Sequence, residues 1–328
     1  MSRVKLASSL PWRENVERSS TLNVISKSNN RLFYHIVAFV IVSIWGSTFV
    51  FTKMLLLNGL SPAQIFTLRF IIAYLLLLGY SLTKNHRWFS NVWQDELLMF
   101  ALGVTGGSLY FLTENSAMNY TTTTNTSLIV SLSPLVAALL ISLFYKSMRL
   151  NRVQTIGMLM AAVGVVAVVL NGHFVLHLSP LGDSLAFSAA LCWGFYSLMM
   201  IPANMRYDTV FVTRKVFFYG LLSMAPYYLF MPEEAQIFSS LYSFFTTHLS
   251  LLWNLLFLSC VASMGCFLAW NWVLKKLGAV VATNYVYFNP VTTILFAWWL
   301  LQEQITIYFL IGTALILVGM YLADKRKY

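Results

Sequence analysis

Three charged side chains, Lys53, Arg69 and Glu114, interrupt otherwise apolar runs of this sequence. A charge inside a stretch long enough to span a bilayer is costly, so each is a functional candidate by default. Counted from the nearer ends of their runs at about 1.5 Å per residue, they lie roughly 6, 11 and 6 Å deep, all on one side. At those depths they could form one cluster, in which Glu114 offsets the charge of Arg69 and takes up or releases a proton. Each also has a plainer use. Lys53 is near enough to the boundary to snorkel, Arg69 could lock helices together, and Glu114 could be only its structural partner.

The same runs carry amides and helix breakers. Asn125, Asn284 and Asn289 could bind a ligand or merely join helices. Pro134 and Pro290 each remove a backbone donor and free a carbonyl four residues earlier. Interruptions at matching points of two helices are a pointer to a transport site, with a plain packing kink as the alternative. Trp45, Tyr110, Trp193, Tyr196, Trp270 and Tyr285 could line a cavity suited to a partly apolar substrate. Aromatic residues make up 16% of the chain, so most of its rings must face lipid or core instead.

Other chemistries find little support. The five histidines, His35, His86, His173, His177 and His248, fall in loops or at the ends of runs, and neither HExxH nor GxSxG occurs. The glycine-rich stretches 103–107 and 157–164 lack a following Walker lysine and read as close helix packing, so neither ATP drive nor any other cofactor is expected. Cys192, Cys260 and Cys266 form no CxxC pair and read as small buried hydrophobes. Glu303, at the end of an apolar run, reads as a cap on the following turn.

These residues must be positioned by membrane helices. Of 328 residues 59% are hydrophobic and only 10% charged, and mean hydropathy is +0.71. About 20 apolar residues cross roughly 30 Å of hydrocarbon. Ten stretches approach that length: 33–57, 62–82, 96–118, 124–145, 153–170, 181–201, 214–231, 249–274, 279–301 and 306–323. The net charge of +10 does not form a basic face for nucleic acid. Of 21 Lys and Arg residues, 19 fall in the tails and alternate loops, leaving the loops near Asn58, Asn119, His173, Glu233 and Gln302 with none. Basic loops stay cytoplasmic, so both termini are expected inside a cytoplasmic membrane. Residues 1–31 are polar, Ser-rich and basic, without a cleavable signal core, and read as a disordered cytoplasmic tail.

The chain also resembles itself. Pro134 aligns with Pro290, Gly103 with Ser259 and Gly107 with Ser263 at an offset of 156. Gly157 and Gly164 match Gly312 and Gly319 at 155, and Trp45-Gly46 matches Trp193-Gly194 at 148. A repeat of five spans is odd-numbered, so the second copy must be inserted upside down. The expectation is an all-α membrane protein of ten transmembrane helices, a 5+5 inverted-topology repeat around a central cavity, with copies at 32–172 and 181–324.

In order along the chain stand Trp45-Gly46-Ser47-Thr48-Phe49 with Lys53, Arg69-Phe70 and Ser133-Pro134. They are followed by Gly182-Asp183, Trp193 with Tyr196, Lys275 to Gly278, Asn289-Pro290, and Gln302-Glu303 before Thr306. As an ordered set they resemble the EamA-like family of the drug/metabolite transporter superfamily over about residues 33–323. The resemblance implies ten helices, a cavity between the halves, and export of amino acids or other small metabolites across a bacterial inner membrane. This sequence departs from the family pattern at Lys146-Ser147, where an acidic residue usually follows the fourth span, and in its extended N-terminal tail.

The expected partners are therefore a small-molecule substrate, moved either by proton coupling or by simple facilitated export, and the lipid bilayer, with no nucleic acid. The sequence does not fix the oligomeric state. A membrane-embedded enzyme or a channel-like protein without alternating access is the competing class. The first would need a nucleophile or metal set within the bilayer, and the second would not predict saturation by substrate.

Overall fold

In a computed structural model of the chain, residues 31–83, 87–90, 92–170, 179–247, 249–301 and 306–324 are described. Among them every regular element is helical. The principal helices are α1 (Arg31–Leu57), α2 (Pro62–Thr83), α3 (Trp93–Tyr120), α4 (Thr123–Val130), α5 (Ser133–Phe144), α6 (Arg152–Leu170) and α7 (Pro180–Arg206). They continue with α8 (Thr209–Leu222), α9 (Ala225–Phe230), α10 (Ile237–Thr247), α11 (Leu249–Leu277), α12 (Ala279–Thr283), α13 (Asn289–Leu301) and α14 (Ile307–Asp324).

Seven helical stretches are long and apolar enough to cross a membrane: α1, α2, α3, Asn125–Phe144 over α4 and α5, α7, α11 and α14. The protein is thus multi-pass. Stretch 153–170 forms one further apolar helix, α6, of 19 residues. The two other stretches are interrupted. Stretch 214–231 is divided between α8 and α9 at Ser223 and Met224, ahead of Pro226. Stretch 279–301 is divided by a tight 3-10 segment, Asn284–Phe288, between α12 and α13.

Local chemistry sets these boundaries. Helix α8 starts before the apolar run because the Asp208 side chain caps it, accepting the Phe211 N–H at 2.9 Å. Arg214 and Lys215, read from sequence as loop charges, therefore lie inside a helix, 3% and 7% exposed. Pro134 and Pro290 each occupy the second position of a restarting helix, α5 and α13, where a missing N–H costs no intrahelical bond. Gly278 closes α11 at φ +87°, a left-handed C-terminal stop that a side chain would strain. Helices α3 and α11 each contain a wider π-helical stretch, at Val104–Ser108 and Phe257–Gly265.

The core is aromatic and the outer surface apolar. Phe66, Phe70, Phe217, Phe267, Tyr196 and Trp270 are fully buried, whereas Leu75, Leu139, Leu159 and Leu310 are exposed, as lipid contact requires. Helices α6 and α14 run antiparallel in closest contact. A methyl on Gly157 would lie 2.6 Å from the Gly319 carbonyl oxygen, and one on Gly164 2.7 Å from that of Gly312.

Two polar ties bind α2 and its flanks to the second half of the chain. Beyond the end of α2, Arg206 pairs with Asp95, which also accepts from Tyr207 Oη at 2.6 Å. Beside it Lys215 pairs with Glu96 at 2.9 Å, Tyr219 Oη donates to the same carboxylate at 2.5 Å, and Arg214 donates to the Arg87 carbonyl. At the start of α2 one carboxylate, Glu234, accepts from Ser61 Oγ and from Tyr227 Oη at 2.7 Å. Its carbonyl accepts from Gln64 Nε2 at 2.9 Å.

Candidate functional site

The helices converge on a cavity of about 20 Å³, in which Arg69 and Glu114 are the charged lining residues. That is room for about one water molecule. Trp45, Thr48 and Phe49 enter on one face of α1, at the i, i+3, i+4 spacing that keeps side chains together. Helix α2 contributes Arg69, and α3 contributes Tyr110, Phe111 and Glu114. Val130 and Ser133 flank the break between α4 and α5, and Val286 and Asn289 the one before α13. Trp193 of α7 and Phe267 of α11 complete the wall.

Arg69 is 2% exposed. Its Nε donates to Ser263 Oγ at 2.8 Å, in the π-helical stretch of α11, and its guanidinium carbon lies 4.5 Å from the Phe111 ring centre. Glu114 is 8% exposed and accepts from Tyr110 Oη at 2.7 Å, one helical turn away. Among the described residues neither charge forms an ion pair. A buried cation and a buried anion thus face one small space without touching. Uncompensated burial of either is expensive, so the arrangement favours a bound species that carries the opposite charges.

Around this pair the rings are in mutual contact. Trp45 and Trp193 meet edge to face at 5.4 Å, Tyr110 lies 5.1 Å from Trp193, and Trp45 5.1 Å from Trp270. Trp45 Nε1 donates to the Ala262 carbonyl at 3.0 Å, tying α1 to α11. Ring faces carry a negative quadrupole, so they can receive an alkylammonium as well as an apolar group.

Not all the sequence candidates meet here. Lys53 Nζ donates to the Met118 carbonyl at 2.5 Å, near the C-terminus of α3, where a cation is favoured. Asn125 Nδ2 donates to Asp183 Oδ1 at 2.6 Å and joins the starts of α4 and α7. Tyr196 Oη donates to Asn271 Oδ1 at 2.5 Å, and Asn271 Nδ2 to Thr213 Oγ1 at 2.9 Å, a buried link among α7, α11 and α8. Trp270 sits behind Trp45, fully buried. Tyr285 Oη lies 2.6 Å from His35 Nδ1. Asn284 is buried away from the lining, neither of its amide atoms having a hydrogen-bond partner. Glu303, His86, His173, His177 and His248 fall outside the described residues.

The lining also holds residues that charge and aromaticity did not single out: Thr48, Phe49, Phe111, Val130, Ser133, Phe267 and Val286. Thr48, Phe49 and Ser133 stood in the family-like stretches quoted above, and the internal offset was the further signal. Phe111 and Phe267, Val130 and Val286, and Ser133 and Asn289 are all 156 positions apart, and all six residues line the cavity.

Known proteins resemble the chain along nearly its whole length. The model of the EamA-like transporter family matches residues 32–170 and 180–323. An uncharacterized transporter of Archaeoglobus fulgidus is 25% identical over 297 residues, 89% of this chain and 99% of its own length. The uncharacterized transporter YoaV of Bacillus subtilis is 25% identical over 287 residues, 85% of this chain and 92% of its own. A crystal structure superposes with a TM-score of 0.64 at 19% identity, covering 89% of this chain and 97% of that one, a likeness of fold.

Proposed function

The chain belongs to the EamA-like transporter family, and from that premise we propose that it exports a small zwitterionic metabolite, an amino acid or a related compound, by alternating access. The observation that carries the proposal is the separated pair, Arg69 and Glu114, buried at one cavity without a mutual ion pair. The guanidinium suits a substrate carboxylate. The Glu114 carboxylate and the faces of Trp45, Tyr110 and Trp193 suit its ammonium. Glu114, open to protonation when empty, would couple the cycle to protons.

The proposed frame is ten spans across the cytoplasmic membrane, both termini cytoplasmic, with copies at 32–172 and 181–324 inverted relative to each other. Three correspondences support it. The breaks before Pro134 and Pro290 fall at matching positions, as do the π-helical stretches of α3 and α11. Gly157 and Gly164 meet Gly319 and Gly312 reciprocally, as two elements related by a twofold axis would. The cavity is lined by the equivalent pairs given above, as a site between two such copies would be. At about 20 Å³ the cavity has room for about one water molecule, which agrees with a contracted state of an alternating-access cycle.

Purified chain in liposomes, loaded with amino acids and assayed for exchange of labelled ones with and without a pH gradient, tests the proposal. Saturable exchange is expected, together with loss of exchange or of its pH dependence in Glu114→Gln. Non-saturable leakage, or unchanged pH-dependent exchange by Glu114→Gln, would refute it.

A further inference from the structure

Besides its two charges, the cavity is lined by three residues that each carry a buried polar atom with no hydrogen-bond partner among the described residues: Ser133 Oγ, Trp193 Nε1 and Asn289 Oδ1. Several nearby groups are instead satisfied internally. Thr48, Thr113, Ser197 and Thr292 turn their hydroxyls back onto carbonyls three or four residues earlier, at 2.7–2.9 Å. The Trp45 indole has the Ala262 carbonyl. Ser133, 0% exposed, makes no such bond, nor does the Trp193 indole, although both lie on helices with carbonyls nearby. A buried polar group left unpaired is costly, so three among the residues of one cavity call for a partner.

Arg69 and Glu114 come from α2 and α3, whereas Ser133, Trp193 and Asn289 come from α5, α7 and α13. Ser133 and Asn289 stand at equivalent points of the two interrupted helices, each the residue immediately before the proline. The set holds one donor-only group (the indole), one acceptor (the amide oxygen) and a hydroxyl able to do either. It carries no charge, so it suits a neutral group that both donates and accepts. Ser90, Asn115, Ser131, Asn204, Arg214, Trp270, Asn284 and Tyr287 also carry unpartnered atoms, but outside the lining.

We propose that Ser133, Trp193 and Asn289 form a neutral hydrogen-bonding subsite that selects zwitterions whose side chain ends in a hydroxyl or carboxamide over isosteric apolar ones. The subsite rests on the reading of Arg69 and Glu114 as the zwitterion-binding pair. Sites built to hydrogen-bond a substrate group reject the analogue lacking it far more strongly than apolar pockets reject a missing methylene, because their own polar groups are then left unpaired. A preference of at least about tenfold is expected within an isosteric pair.

The test is exchange by the full chain in liposomes, with labelled L-threonine and labelled L-leucine in parallel, competed by threonine against valine and asparagine against leucine. Threonine and asparagine should each compete at least about tenfold better than their isosteres, and Ser133→Ala and Asn289→Leu should each bring the ratios toward one. If Asn289→Leu does not fold, Ser133→Ala, which removes a single oxygen, decides. Saturable exchange with equal competition within both pairs, or wild-type ratios retained by the folded variants, overturns the subsite alone. Absence of saturable exchange for both labels overturns the zwitterion reading and the subsite with it.

Discussion

Lys215 and Glu96 allow a quantitative test of the tie between α3 and α8. Their side chains are 8% and 12% exposed, and the ammonium lies 2.9 Å from the carboxylate. Removing one member of a buried pair costs about 3–5 kcal/mol, because the other charge stays buried and uncompensated. In Lys215→Met, Glu96 keeps the hydroxyl of Tyr219 and the N–H of Ser90, at 2.5 and 2.8 Å, so the lower end of that range, about 3 kcal/mol, applies. At about 2 °C per kcal/mol for a chain of this size, the variant should unfold about 6 °C below wild type in detergent. Glu96→Gln combined with Lys215→Met removes both charges and should regain most of the loss. The exposed pair Arg31–Asp324, at 2.9 Å and 47% and 32% exposed, serves as contrast: Arg31→Ala should cost under about 1 kcal/mol. A double variant no more stable than Lys215→Met would show that the loss comes from packing of the lysine stem and not from a stranded carboxylate.

Further outcomes follow from particular contacts. Gly164→Ala places a methyl against backbone and should lower stability by about 1–3 kcal/mol. Gly79→Ala, in a helix with open space around the position, should instead raise it by up to about 1 kcal/mol, both changes being read by thermal unfolding. Pro134→Ala and Pro290→Ala should slow turnover more than they alter stability, since each lets a helix continue across a break beside the cavity; normal turnover in both would exclude a hinge there. Lys53→Met should shift stability and leave the apparent affinity for substrate within about twofold, because the ammonium caps α3 outside the cavity.

The sequence conveyed depth well and direction poorly. Arg69 and Glu114 stood out because a charge in an apolar run is conspicuous, and both line the cavity. Lys53 had the same apparent depth as Glu114, yet its partner is a backbone carbonyl at the end of α3, which no count along α1 can reveal. Arg214 and Lys215 were misplaced in a loop for a related reason. A charge pattern records sign and position, whereas their burial depends on Glu96 and the Arg87 carbonyl, both over 115 residues earlier in the chain. Trp45 and Trp193 were legible as a repeated Trp-Gly pair and do meet across the cavity, but Tyr196 and Trp270, equally aromatic, face the core instead. Phe267 is of an ordinary residue type and only its offset of 156 from Phe111 marked it, whereas Ser133 shared that offset with Asn289 and also stood in the family-like Ser133-Pro134 pair.

The glycine contacts between α6 and α14 restrict what can move. With the backbones meeting at both Gly157–Gly319 and Gly164–Gly312, either helix would drive its neighbouring side chains into the other on sliding by even one residue. The two therefore behave as a single splint with a frozen register, and any rearrangement of the bundle must carry them as one body.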